Sequence, residues 1–496
     1  VTSSESDLLG SELLVEINII ELEDADLPTS QPTGPELPAS APRSRSRWLR
    51  FAVPIAIIGA AAGIWVLLRA PSEPLAHVLV TKSHGVSQMV LSDGDMTLNQ
   101  LRTALVHEGH GSLLTPAQGG GYELEGDLSI ADGAHLTISN TPFLLESTSA
   151  HQVRVVVAGG SLTFRRDTIA SWNSSNGVDA DITNGRAYIV AEGPTSRMDF
   201  SDSTVAALGS NADDPGVTWR LGAAGGISQS TFEGNFRGAY AYDSGQLTIA
   251  GSTFTHSIEN GLVLLGASSG SNVVSSSFDD NASDGLEIGI TSDIEVSNIT
   301  AMGNTFDGLS IHGGQDIRVS GGLFSANQQY GIVTADATRV TMDGIRVWDN
   351  TNGVEVDGGA TAVSNSLLSG NDDDGLFVTG PTSVLRLTGD RLDNNQEAGL
   401  WVADGAVVAE QNLIDENRTG VSILEASRAT VIQDDQILDN SVDGIALLAP
   451  TTGVITGNTI VGNAKAAFSL AAKGSVAALV RANRVSGSET LLRIRG

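Results

Sequence analysis

The sequence contains no cysteine. That excludes disulfide staples, zinc-thiolate sites and thiol nucleophiles. Basic residues are scarce as well: 27 lysines and arginines stand against 58 aspartates and glutamates, a formal net charge of −31. A surface of that sign repels nucleic acid and anionic headgroups, so no nucleic-acid partner is expected. Charged residues amount to only 17%, while glycine is plentiful at 57 residues. A chain of 496 residues with that much glycine has to be searched for repeats before it is divided into domains.

What is present falls into distinct segments. Residues 1–42 hold nine acidic residues and no basic one, with proline and serine clustered in Pro28–Pro42. Such a segment buries too little apolar surface to offset its ordering entropy, so a disordered acidic tail is expected. Its stretch Leu13–Leu22 is apolar enough for a short docking element toward a cytoplasmic partner. Arg43, Arg45, Arg47 and Arg50 then precede Phe51–Leu68, eighteen residues without a charge, with Trp48 and Trp65 near its ends. That length is near the lower limit for a membrane-spanning helix. Four arginines before the span against Arg69 alone directly after it place the N-terminus in the cytoplasm. The expectation is a single-pass signal anchor, residues 43–70 with their basic flank, and everything from about residue 75 outside the cell membrane. Residues 71–120 read as a linker with a short helix over 95–107. Leu98, Leu101 and Leu105 form its apolar stripe and Asp95 its cap. A helix there covers the open end of a solenoid, whose strand edges are otherwise exposed.

From residue 121 to 496 the chain repeats. The motif Gly–aliphatic–x–aliphatic recurs at Gly238, Gly261, Gly285, Gly308, Gly331, Gly353, Gly375, Gly399, Gly420 and Gly444, spaced 21 to 24 residues apart. An asparagine precedes most of them by three or four residues: Asn235, Asn281, Asn304, Asn327, Asn350, Asn371, Asn395, Asn417 and Asn440. One further turn has Asn463, with Ala466 where glycine is expected. The pattern predicts an all-β chain wound as a right-handed parallel β-helix of about 23 residues per coil. Glycine is expected to supply unusual backbone angles at tight turns, and asparagine to bond its copies above and below. Strand alternation turns Leu262/Leu264, Leu286/Ile288, Leu309/Ile311, Val354/Val356, Leu376/Val378 and Ile445/Leu447 inward. Phe232, Phe254, Phe278, Phe324, Val347 and Leu368 make a second apolar row. A leucine-rich horseshoe is the rival architecture; the lack of a helical segment per repeat and the asparagine position count against it.

Six stretches in order, GAHLTIS (133–139), SLTFRRDTIASW (161–172), RAYIVAEG (186–193), DSTVAALG (202–209), GVTW (216–219) and FRGAYAYDS (236–244), resemble the alginate (mannuronan) C5-epimerases of the pectin-lyase-like superfamily. The resemblance implies a right-handed parallel β-helix that acts on extracytoplasmic uronic-acid polymers. It breaks at the chemistry. The family's catalytic segment reads roughly Tyr-Gly-Ile-Asp-Pro-His-Asp; here the stretch is Asn260-Gly261-Leu262-Val263-Leu264-Leu265-Gly266. One coil on, the family's His-Gly-Ile-Ile-Val-Ser-Arg faces Asp284-Gly285-Leu286-Glu287-Ile288-Gly289-Ile290. Epimerisation needs groups that neutralise a carboxylate, abstract a proton and return one. Leucine does none of these.

Outward residues at equal offsets stack along the coils, about 4.8 Å apart. Two after each glycine the row reads Tyr240, Val263, Glu287, Ser310, Val333, Glu355, Phe377, Trp401, Ser422, Ala446; four after, it reads Tyr242, Leu265, Gly289, His312, Ala335, Asp357, Thr379, Ala403, Leu424, Leu448. Glu287, Ser310, His312, Glu355 and Asp357 form the compact polar group. His312, Glu287, Glu355 and Asp357 are the candidate acids and bases, against the simpler reading of a solvated face. No lysine or arginine is expected on these rows. Tyr240, Tyr242, Phe377 and Trp401 are candidates for stacking on sugar rings, or for plain cross-strand packing. No cofactor is expected, with calcium left open at Asp372-Asp373-Asp374 and Asp213-Asp214. His107-Glu108-Gly109-His110 has the wrong spacing for a zinc-protease helix. The expectation is a membrane-anchored extracytoplasmic β-helix that binds or guides an extracellular polysaccharide without catalysis. An active C5-epimerase or lyase and a surface adhesin or structural protein remain the alternatives.

Overall fold

The computed structural model describes residues 76–494 apart from 84, 174–177, 180, 425–429, 450–452 and 472–480. The acidic segment 1–42 and the apolar span 51–68 lie outside the described residues. Among the described residues no helix is long and apolar enough to cross a membrane.

Each coil contributes three short strands. In one representative coil these are Leu262–Leu265, Asn272–Val274 and Ser277–Asp279. Each pairs in parallel with its counterpart one coil later: Leu262 with Leu286, Asn272 with Glu295, and Ser277 with Thr300. Three parallel ladders therefore wind along a common axis. At two coils the corner between the first two ladders is a continuous strand, Tyr330–Asp343 and Asn352–Ser364.

The coils begin earlier than residue 121. His77–Ser83 and Val86–Ser92 form an antiparallel hairpin, Val86–Ser92 pairs with Asp127–Ala131, and Gly94–Thr97 pairs with Ala134–Ser139. The segment expected as a linker thus carries strands that join the coils, with Met89 and Leu91 alternating into the core. The expected helix spans Leu98–His107 and buries Leu98, Leu101 and Leu105. Its cap is Thr97 and not Asp95: the Thr97 hydroxyl accepts from the Gln100 N–H, and Gln100 Oε1 accepts from the Thr97 N–H at 2.8 Å. Asp95 sits within the preceding strand.

The interior is stacked by residue type. All the inward pairs named above are buried. On the third ladder Phe232, Phe254 and Phe278 lie face to face, with centroids 5.2 and 5.1 Å apart. At the corner an asparagine ladder runs from Asn281 to Asn463. Each Nδ2 donates to the next Oδ1 at 2.8 to 3.3 Å. That same oxygen takes the backbone N–H of the preceding asparagine. The ladder satisfies the buried polar groups of the turn within the protein itself.

The repeat glycines answer a different need from the one expected. None of them takes a positive φ. They lack a side chain because the coils stack too closely for one: a Cβ on Gly353 would meet Gly375 O at 2.2 Å and Asn371 Nδ2 at 3.0 Å. In the last turn Asp443 pairs with Ala466 and Ile445 with Phe468, so the residue opposite Gly444 is Ala467 rather than Ala466.

A second polar ladder escaped the sequence pattern. Asp390 takes its N–H bond from Ser366 and gives its own to Asn412; Asn412 donates to Asp435, and Asp435 to Asn458. Burial pushes the Asp390 carboxyl up to about 7 and that of Asp435 to about 6. Both folded values lie above the unfolded value of about 3.9, so the folded chain holds these protons more tightly. The stability they confer is complete below about pH 4 and is lost as pH rises through 6 to 7. Asp435→Asn removes that loss at one rung. Measured by urea unfolding, the variant is expected to gain on the parent by about 1–3 kcal/mol between pH 4 and pH 8. A gap that stays constant across this range sinks the prediction.

Candidate functional site

The outward rows stand in the expected register. Tyr240, Val263, Glu287, Ser310, Val333, Glu355, Phe377, Trp401, Ser422 and Ala446 are consecutive partners on the first ladder. Tyr242, Leu265, Gly289, His312, Ala335, Asp357 and Thr379 run beside them. Their surroundings are less uniform than a solvated face: Val263 and Ser310 are buried, whereas His312, Asp357 and Tyr242 are exposed.

His312 Nε2 makes a close hydrogen bond with the Ser310 hydroxyl. Glu287 is the register partner of Ser310, yet its Oε2 accepts from Asn260 Nδ2 at 3.1 Å. No hydrogen bond or ion pair joins Glu287 to His312 among the described residues. Glu355 and Asp357 lie two coils from Ser310 and His312, across Val333 and Ala335. The structure therefore bonds His312 to Ser310, keeps Glu287 near it but bonded to Asn260, and sets Glu355 and Asp357 two coils away.

Other acids fill the gap. The residues just before the repeat glycines form a third row, which from Gly261 to Gly375 reads Asn260, Asp284, Asp307, Tyr330, Asn352, Asp374. Asp284 Oδ1 accepts the Asp307 N–H at 3.1 Å, and Asp307 Oδ1 accepts the Tyr330 N–H at 3.0 Å. Burial pushes the Asp307 carboxyl up to about 7, against the Tyr330 N–H bond that opposes it. Burial also raises Asp284, Glu287 and Glu355; nearby Asp284 adds to the rise at Glu287, and a bond from the Tyr330 phenol partly offsets it at Glu355. Tyr330 is itself raised, by burial and then by Glu355. Sequence reasoning missed Asp284, Asp307 and Tyr330 because only the glycine-plus-two and glycine-plus-four offsets were followed. The signal was the run of polar residues, Asn, Asp and Tyr, at the position before these glycines.

The expectation of rows free of arginine is corrected at both ends. Arg220 is the ladder partner of Tyr242 and bonds Glu192 at 2.7 Å. Arg493 follows Ala446 and Ser469 on the first row and pairs with buried Asp443 at 2.7 Å. Arg237 lies 4.9 Å from the Tyr240 ring centroid while bonding Glu259. The rows looked free of arginine because the motif was read only from Tyr240 to Ala446.

The aromatic candidates form two separate groups. Tyr240 and Tyr242 lie parallel, 6.5 Å apart. Phe377 and Trp401 are register partners with centroids 5.5 Å apart and tilted by 56°. Trp401 lines a cleft of about 410 Å³ with Arg418, Arg493, Glu397 and Asp374. Its indole N–H is enclosed and has no hydrogen-bond partner among the described residues. Arg418 pairs with Glu397 at 2.6 Å on the cleft wall.

The aspartates considered for calcium diverge. Asp372 accepts from Gln396, while Asp374 accepts the Ala398 N–H. The Asp213 and Asp214 backbones both donate to Asn211. Among the described residues no group of three His, Asp or Glu side chains is placed to hold a metal ion.

With three stacked parallel ladders and polar corner rungs on the page, the class is a parallel β-helix. Residues 216–367 and 352–492 match the family described as right handed beta helix region, together more than half of the chain. The chain belongs to that family, and the helix is right-handed. The periplasmic alginate epimerase AlgG is similar in structure: TM-score 0.59 at 16% identity, over 68% of this chain and 86% of that one. The A-module of the Azotobacter vinelandii mannuronan C-5 epimerase AlgE4 aligns over 75% of this chain and 89% of its own, at 14% identity and a TM-score of 0.32. At these identities it is the AlgG match that bears on the fold, and on the fold alone. No curated protein matches the chain.

Proposed function

We propose that this protein is a membrane-anchored, extracytoplasmic β-helix that binds or guides a polysaccharide and does not carry out epimerase chemistry. The observation that carries the reading is the Phe377–Trp401 pair, whose Trp401 lines an open cleft with Arg418 and Arg493. An aromatic face packs on the C–H side of a sugar ring, and a guanidinium takes its hydroxyls or carboxylate. The apolar coil at Gly261 supports the second half of the reading. Leu262, Val263 and Leu264 are all buried there, and none can move a proton. In the same proposal Phe51–Leu68 anchors the chain with its N-terminus in the cytoplasm, and the helix Leu98–His107 closes the near end of the solenoid.

Affinity electrophoresis of the full chain in gels containing polymannuronate, polygalacturonate or a neutral glucan tests it. Retention is expected in at least one gel. Trp401→Ala is expected to weaken it by about tenfold, since an aromatic face contributes roughly 1–2 kcal/mol. Free migration in all three gels defeats the reading.

The raised carboxyls around His312 favour a second reading, an active epimerase or lyase. Groups that exchange protons near neutrality, such as Asp307, are what an acid–base reaction requires. NMR of the C5 configuration and absorbance of unsaturated ends, after incubation with each polyuronate, decide between the two. Turnover that His312→Ala abolishes establishes the second reading over the first.

A further inference from the structure

The Trp401 cleft lies where the repeat motif fades toward the last strand of the solenoid. Trp401 and Ser422 are register partners in it, with Asp374, Glu397, Arg418 and Arg493 around them. Two guanidiniums beside an aromatic ring look like a seat for an acid group, but both are already matched.

Arg493 is committed to Asp443. Its Nη2 donates to Asp443 Oδ2 at 2.7 Å, and the Asp443 side chain is wholly enclosed. Drawing the guanidinium toward a ligand strands a buried carboxylate, which costs more than one contact at the cleft returns. Arg418 faces Glu397, with Nη1 2.6 Å from each carboxylate oxygen. That pair is 55% and 47% exposed, so it is loose, yet Glu397 stays beside any acid group that approaches Arg418. Asp374 adds a third carboxyl. It is buried and accepts the Ala398 N–H at 2.8 Å. Burial pushes it up to about 7 against that bond, and Asp373 and Glu397 add to the rise. The acids of the cleft therefore outnumber its guanidiniums, on a chain whose net charge is −31. A uronate carboxylate entering here meets like charges and no unpaired cation.

Matched charges still bind hydroxyls. An arginine has five N–H donors, of which an ion pair uses few, and a carboxylate accepts at both oxygens. The Arg418–Glu397 pair thus offers donors and acceptors side by side, as two adjacent hydroxyls of a sugar ring require. The Ser422 hydroxyl and the Trp401 face add uncharged groups.

We propose that the Trp401 cleft selects an uncharged glycan segment, its ring on Trp401 and adjacent hydroxyls on the Arg418–Glu397 pair, and discriminates against uronic-acid polymers. This rests on the polysaccharide reading and narrows its ligand to neutral sugars. Affinity electrophoresis of the full chain tests it, in gels containing polygalacturonate, the methyl ester of the same polymer, or a neutral glucan. The ester keeps the sugar and removes the charge. Retention is expected in at least one neutral gel and about tenfold weaker in the free acid. Retention in the neutral gel should hardly change between about 0.01 M and about 0.15 M salt, because no net charge is matched. Glu397→Gln, on an exposed wall, leaves Arg418 unpaired and is expected to strengthen retention by the free acid about threefold or more. Retention by the free acid that equals or exceeds both neutral gels overturns the inference and leaves the polysaccharide reading standing. So does a Glu397→Gln variant with unchanged retention by the acid. Neutral retention that survives Trp401→Ala moves the sugar off this cleft and overturns the inference, while polysaccharide binding stands. Free migration in all three gels defeats both.

Discussion

Alanine at Asn350 is expected to lower the unfolding free energy by about 3–6 kcal/mol. Asn350 is buried, and its Oδ1 accepts both the N–H and the Nδ2 of Asn327 at 3.0 Å. Its own Nδ2 serves Phe324 O, Trp348 O and Asn371 Oδ1. Removing the side chain leaves the Asn327 N–H without an acceptor in a place water cannot reach. Each buried polar group so stranded costs about 1–3 kcal/mol. Because each coil contacts only its neighbours, the damage should be local. Hydrogen exchange should accelerate at the coils around Asn327, Asn350 and Asn371 and much less near Phe164. The control is Asn365→Gly, at an exposed turn with φ 52°, where the change should stay within about 0.5 kcal/mol. Equal losses at the two asparagines, measured by denaturant unfolding, would show that the ladder is not a stabilising element.

The second large effect belongs to Phe254→Ala, expected to cost about 3–5 kcal/mol. Phe254 is fully buried and stacks on Phe232 and Phe278 on its two sides. The substitution empties one level of the aromatic column, and the flanking rings cannot collapse into the gap while the ladder bonds hold the coils in register. Each lost ring pair adds about 0.5–1.5 kcal/mol beyond the area lost. Phe254→Leu refills most of the volume and should recover more than half of the loss. Phe306→Ala, at a ring 43% exposed, should be nearly silent. If Phe254→Ala proves as mild as Phe306→Ala, the column is not close-packed.

Much of the fold was legible because a solenoid repeats its own constraints. The glycine and asparagine spacings fixed the register, and the two outward rows stand partner by partner as the spacing implied. The reason for the glycine was not legible: only stacked coils reveal that Gly375 O occupies the space a side chain on Gly353 would need. The candidate site was legible in membership and not in bonding. His312, Ser310 and Glu287 are neighbours as expected, yet His312 bonds Ser310 and Glu287 bonds Asn260. A list of offsets says which side chains lie near one another, while rotamers and burial decide which of them join.

By itself the sequence determined the coil length, the inward and outward faces and the apolar filling of the Gly261 coil, because each of these follows from a period along the chain. Tertiary structure alone decided the rest. Asp307 and Asp435 hold raised carboxyls because neighbouring coils bury them. Arg220 and Arg493 complete the rows from coils where the motif fades. Burial and convergence are relations between coils, and a one-dimensional repeat does not state them.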